Sequence, residues 1–273
     1  MTNFIPPFLA IALTGTPGTG KTEVSKRLEK EGYRVLHLTE FIKEYNISSD
    51  HDFERNCDVI DMDALEDAVF EYRLQERCKF NTYFYESQLR REDFHKKPEN
   101  LPVLLIESHM AHYLCDLAVV FRTHPNILKV RLDERGYSDS KVMENILAES
   151  IDVVLCDCFD YCRRTYEINT SVLSINETIK CLKELIHALY EDEYRKYLEL
   201  YTKMESLPDH QKSHEAYLSG TPLEDIIHSL EAENSEGAII YEEGDNEADY
   251  VEESDPVLVK YLPGRNDWSE VLP

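Results

Sequence analysis

Eight consecutive residues, Gly15-Thr16-Pro17-Gly18-Thr19-Gly20-Lys21-Thr22, constrain this chain more than any other part of it, because they complete the pattern G-x-x-x-x-G-K-[ST]. The flanks are those the pattern needs. The apolar run Phe8 to Leu13 reads as a buried strand, and Lys21 to Lys30 reads as the helix after it. Gly15, Gly18 and Gly20 permit backbone conformations in which successive N–H groups, Thr19 among them, turn inward around phosphate oxygens. The helix N-terminus adds unpaired donors and its dipole. Lys21 brings a point charge to the β- and γ-phosphates, and the Thr22 hydroxyl is placed to ligate Mg²⁺. The segment implies a nucleotide-binding chain.

Charge divides the 273 residues unequally. No Lys or Arg occurs between Lys212 and Lys260, whereas 14 Asp and Glu residues do, which is more than half of the net charge of −25. Such a stretch cannot bury enough apolar surface to offset its ordering entropy, so residues 208–273 are expected to be an acidic, disordered extension of a folded domain at 1–207. Near its end, around Val257 to Trp268, apolar residues return together with the only tryptophan, which suggests a piece able to dock on the domain or on a basic partner. Met1 to Leu13 has no basic region of the kind that opens a secretory signal, and no run approaches a membrane span. Seven scattered cysteines suit reduced thiols in a cytosolic compartment, and Cys156, Cys158 and Cys162 lack the paired spacing of a zinc knuckle.

The order of elements is a repeated strand and helix, which predicts a parallel sheet covered by helices. Strands are expected at Tyr33 to Leu38, Leu101 to Ile106, Leu117 to Phe121 and Thr165 to Ile168, in addition to the first. Thr39 can cap a short helix through Tyr45, Asn46 to Met62 reads as turn-rich, and helical spacing returns from Asp63 to about Arg77. Further helices are expected at Pro125 to Arg135, Asp139 to about Tyr161, and Ile175 to about Glu205, the last opened by a Ser174/Glu177 capping box. Pro208 marks the expected end of the folded part.

Two clusters suggest chemistry. Glu107 follows the strand Val103 to Ile106, a pattern that delivers a carboxylate to a Mg²⁺ shell, and Arg122 ends another strand, where sites form in open α/β sheets. Arg135 and Lys141 flank a Gly136 to Ser140 turn between helices, a geometry suited to a small lid.

Together with the phosphate loop, Gly32 to Phe41, Cys57 to Asp63, Glu107-Ser108-His109, Phe121-Arg122-Thr123 and Arg131 to Tyr137 resemble the nuclear-type adenylate kinase family, over roughly Phe8 to Leu189. Eukaryotic members of that family are also described as ATPases that assist small ribosomal subunit assembly. The resemblance implies a P-loop kinase three-layer fold with a five-stranded parallel sheet, and a short lid near Glu134 to Glu144. It also implies a monophosphate-binding region within about Leu38 to Asp61, where Thr39 and Lys43 are the substrate contacts. Arg135 would be the lid arginine that contacts ATP, His109 a histidine linked to catalysis, and Lys21, Glu107 and Arg122 would complete the catalytic group. Thr22 and Glu107 would hold Mg²⁺. Many members carry Asp where this chain has Glu107, a second hydroxyl where it has Glu23, and Arg where it has Lys43, a point charge in place of a two-pronged contact.

The implied reaction is ATP + AMP to 2 ADP with Mg²⁺, a nucleoside monophosphate kinase activity. The alternative is an ATPase in small-subunit biogenesis and rRNA processing, with a small-subunit ribosomal protein or precursor rRNA as partner. The implied location is cytoplasmic, or nuclear in a eukaryote. Phe80, Tyr83, Phe84 and Tyr85, followed by Arg90, Arg91, Lys96 and Lys97, admit either a single-stranded nucleic acid surface or a helical insertion with a packed aromatic face.

Overall fold

The computed structural model describes residues 5–52, 57–90, 101–206, 226–229, 255–264, 266 and 268. Five strands form a wholly parallel sheet: β1 (Leu9–Thr14), β2 (Arg34–His37), β5 (Val103–Glu107), β6 (Leu117–Arg122) and β7 (Arg164–Asn169), in the order β2-β5-β1-β6-β7. The three central strands, β5, β1 and β6, are largely apolar on both faces, as strands covered on both sides must be, whereas the edge strands β2 and β7 carry polar residues. Alternation along β1 sends Ile11 and Leu13 to one face and Ala10 and Ala12 to the other. The first face packs on α1 (Lys21–Lys30) and α7 (Ile175–Ser206), through Leu28, Leu182 and Ile186. The second packs on α2 (Leu38–Tyr45), α3 (Met62–Arg90) and α6 (Val153–Tyr161), through Phe41, Leu65, Val69 and Leu155. This is the three-layer arrangement expected of the chain, and the carboxyl ends of its five strands carry His37, Glu107, Thr14, Arg122 and Asn169.

Several local expectations need correction. The turn-rich stretch holds a two-stranded antiparallel hairpin, β3 (Ser48–Asp52) with β4 (Cys57–Ile60). Helix α3 continues beyond Arg77 to Arg90, in keeping with the absence of Gly and Pro from Met62 until Pro98. Its Phe80 is fully buried, 5.9 Å from the Phe8 ring, so at that position the insertion is a packed helix face; Arg91, Lys96 and Lys97 lie outside the described residues. Thr39 does not cap α2. The helix leaves β2 without a loop, His37 takes the capping position, and Thr39 lies within the first turn.

The single helix expected from Asp139 is two, α5 (Asp139–Ser150) and α6, parted where Asp152 takes a left-handed φ of 59°. The Ser174/Glu177 capping box forms as expected, with Glu177 accepting the Ser174 N–H at 2.8 Å. Between α5 and the phosphate loop, α4 (Pro125–Glu134) pairs with α5 through Leu128, Leu132, Val142 and Ile146.

Packing continues past Pro208. Ile226 and Ile227 are buried against Ile5, Tyr201 and Met204. A short helix, α8 (Pro256–Lys260), puts Leu258 and Tyr261 into the α7 side of the core, so the docking anticipated around Val257 to Trp268 is seen. Of the 14 acidic residues between Lys212 and Lys260, all but Asp255 lie outside the described residues. No described helix is long and apolar enough to cross a membrane.

Candidate active site

The loop after β1 is shaped by two glycines whose positive φ favours glycine. A Cβ on Gly15, at φ 132°, would lie 2.5 Å from the Phe121 carbonyl oxygen, and one on Gly18, at φ 97°, would lie 2.7 Å from Leu128 Cδ1. The loop therefore sits tight against β6 and α4. Thr19, fully buried, donates its hydroxyl to the Thr16 carbonyl at 2.9 Å. Lys21 is also buried and points back into the loop, donating to the carbonyls of Gly15 at 2.6 Å and Thr16 at 3.2 Å. Its pKa is lowered to about 8, chiefly by burial and in small part by the Arg135 charge, against the pull of Glu107 and Glu149. A buried cation that feels a second cation nearby marks a place where an anion is wanted.

Thr22 donates its hydroxyl to Glu107 Oε1 at 2.9 Å, across 85 residues of sequence. The other oxygen of Glu107 lies 3.0 Å from His37 Nδ1. Burial alone would raise the Glu107 pKa, but hydrogen bonds from His37 and Thr22 and the Lys21 charge outweigh it and keep the carboxyl ionised. The same bond holds His37 above the ordinary histidine pKa in spite of its burial. An ionised carboxylate and a hydroxyl converging at the end of the loop are hard oxygen donors, the set that fits Mg²⁺.

His109 presents its side chain to solvent near this loop. Local desolvation, and then the Lys21 charge, push its pKa below the ordinary range, so its ring is held neutral. Its carbonyl accepts the Thr14 hydroxyl at 3.2 Å, which leaves Thr14 Oγ1 to accept from His112 Nδ1 at 3.1 Å.

Arg122 stands apart from the other expected catalytic residues. It is 1% exposed, and its guanidinium is engaged by three carboxylates: Glu149 at 2.9 Å, Glu167 at 3.3 Å, and Asp152. Glu149 in turn accepts the Thr16 hydroxyl at 2.6 Å. The geometry thus has Arg122 brace the phosphate loop through Glu149, in place of the direct contact with reacting groups that a catalytic residue makes. Arg131 is likewise taken up, donating to the Thr123 hydroxyl at 3.2 Å and to the Thr170 carbonyl at 2.9 Å.

Arg135 is exposed at the end of α4, four residues before α5, where Gly136 at φ 72° turns the chain. It borders a cleft of about 480 Å³ whose walls include Gly18, Gly20, Glu134, Thr170 and Leu173. That volume is of the size small-molecule sites use. Thr39 and Lys43 share the exposed face of α2 and, among the described residues, make no hydrogen bond or ion pair. The structure therefore brings together the loop glycines, Thr19, Lys21, Thr22, Glu107 and Arg135, and places Thr39 and Lys43 on a separate helix.

Sequence reasoning missed His37, Glu149 and the β7–α7 loop at 170–173. His37 closes a strand two residues before Thr39, an expected substrate contact, and its position at a strand end was the available signal; Glu149 lies near the end of α5 and carries none.

Residues 11–152 match the family of the AAA domain. A protein of Methanosarcina mazei named "Putative adenylate kinase" is 37% identical over 194 residues, covering 70% of this chain and 94% of its own. Proteins of the same name from Methanosarcina acetivorans and Methanocaldococcus jannaschii are 40% and 32% identical, over 66% and 69% of this chain and 88% and 90% of their own.

Proposed function

The chain belongs to the P-loop kinase family, with an AAA domain and kinase relatives in archaea, and from that premise we propose that it transfers the γ-phosphoryl group of ATP to AMP, giving two ADP. The observation that carries this reading is the convergence of Lys21, the Thr22–Glu107 pair and Arg135 on one loop beside a nucleoside-sized cleft.

Phosphoryl transfer asks the protein for position and charge more than for covalent chemistry. On this reading the inward N–H groups between Gly15 and Gly20 hold the ATP phosphates. Lys21 exchanges its two carbonyl partners for phosphate oxygens, and its buried charge regains the stability it lacks in the ligand-free loop. Thr22 and Glu107 would hold Mg²⁺, which when bound offsets the charge of the phosphate oxygens. Arg135 approaches the phosphates from the lid corner. His109, kept neutral, is a polar catalytic group that adds no charge at the loop's edge. Thr39 and Lys43 face the incoming monophosphate from α2, and Arg122 acts indirectly, through Glu149.

The names of the archaeal relatives favour AMP as acceptor. The assembly-ATPase reading, with a ribosomal protein or precursor rRNA as partner, draws no support from the comparisons. Both are tested by initial rates of ADP formation from ATP and Mg²⁺ alone and with AMP, CMP, UMP, GMP or dCMP. The kinase reading expects AMP to raise the rate by at least about tenfold. An equal rate with and without every monophosphate would transfer the case to hydrolysis.

A further inference from the structure

Residues 255–264, with Asn266 and Trp268, contact the outer edge of β7 and the elements beside it. Asp255 caps α8 by accepting from the N–H groups of Val257 at 2.8 Å and Leu258 at 3.3 Å. Leu258 is fully buried against the core, and the Tyr261 carbonyl accepts the Glu167 N–H at 2.8 Å, along the open edge of β7. Past Gly264 the chain touches two more groups. Asn266 accepts from Asn169 at 2.7 Å, and the ring of Trp268 meets His124 edge-on with centroids 5.1 Å apart.

These two contacts close a circuit around the β7–α7 loop. Asn169 accepts the Ser171 N–H at 2.9 Å, and Ser171 accepts the His124 N–H at 2.7 Å. His124 caps α4, the helix that ends in Arg135. On the inner side of the same loop Thr170 and Leu173 wall the cleft, and Thr170 donates to the Thr19 carbonyl of the phosphate loop at 2.9 Å. A restraint on Asn169 and His124 from outside is therefore a restraint on the cleft wall from inside.

We propose that residues 255–264, with Asn266 and Trp268, act as a strap that positions the nucleoside wall of the cleft, so that affinity on the ATP side depends on this C-terminal segment. The proposal rests on the assignment of the cleft to ATP. Asn266 and Trp268 are positioning residues and touch no nucleotide. The monophosphate side, on α2, lies outside the circuit, so its affinity is independent of the strap.

Trp268 is the only tryptophan of the chain, so its emission reports the strap alone. Its indole N–H is buried without a hydrogen-bond partner among the described residues, which leaves the ring contact with His124 to hold it and makes its emission sensitive to small shifts there. In the full chain, the ligand-free emission should be that of a protected indole, and a non-hydrolysable ATP analogue with Mg²⁺ should change it while AMP alone does not. Asn266→Ala should abolish that response and raise the KM for ATP about fivefold, the effect of one neutral hydrogen bond, with kcat and the KM for AMP unchanged within about twofold. A merely structural link would lower the melting temperature without this split. Emission of a fully solvated indole, freely quenched, would overturn the strap, as would an ATP KM unaltered by Asn266→Ala. Calorimetry separates the two readings: analogue binding of equal strength in wild type and variant overturns the strap alone, and no binding by the wild type overturns the cleft assignment and the strap with it.

Discussion

Lys21 donates to two carbonyl oxygens of its own loop while buried, an arrangement that costs a charge its hydration and returns little. A residue chosen for stability would not be a lysine there. Lys21→Ala should leave the fold intact, since alanine suits the first turn of α1 and no core contact is lost, and should lower kcat by at least about a hundredfold. Thermal unfolding and steady-state rates check the two halves separately; a variant keeping more than about a tenth of the rate contradicts the role of the lysine. Lys21, Thr22 and Glu107 were legible in the sequence because each belongs to a local pattern, a loop motif or a strand end. His37 and Glu149 were not, because their importance lies in contacts with Glu107 and Thr16, 70 and 133 residues away. Arg122 was legible as a special residue but not in its role, for a strand-end arginine reads alike whether it meets phosphate or a ring of carboxylates.

Among elements, that ring is the main joint of the molecule. Arg122 on β6 holds Glu149 of α5, Glu167 of β7 and Asp152 at the α5–α6 break, and it also bonds the Glu149 carbonyl at 3.3 Å, where a continuous helix would otherwise proceed. The expected single helix is broken for this reason, without any Gly or Pro to announce it. Arg122→Ala would leave three carboxylates buried or half-buried without their counter-charge, and should lower stability by about 3–5 kcal/mol in urea denaturation. Unaltered stability with lost turnover would return Arg122 to direct catalysis. The central strands β5, β1 and β6 were legible because buried parallel strands are largely continuous apolar runs. The β3–β4 hairpin was hidden because Ser48–Asp52 is polar throughout and carries no apolar alternation.

For the whole molecule, acid stability should report on His112, which sits beneath the end of β1. Burial, against a weaker pull from Asp157, lowers its pKa from 6.5 to about 4. Below pH 6.5 the unfolded chain takes up a proton that the native state refuses, so this group's contribution falls as pH drops from about 6.5 to about 4, by about 3 kcal/mol in all. His112→Asn retains a donor toward Thr14 without the titration, and its denaturation midpoint should fall less between pH 7 and pH 5 than that of the wild type; parallel losses would show that His112 is not the group concerned. None of this requires catalysis, which is the central claim and has its own direct measurement: the fate of the terminal phosphoryl group of ATP. With ATP labelled at the γ-position, Mg²⁺ and AMP, the label should appear in the β-position of ADP, and with Lys21→Ala it should stay in ATP. Label released as inorganic phosphate at the same rate with and without AMP would contradict the account.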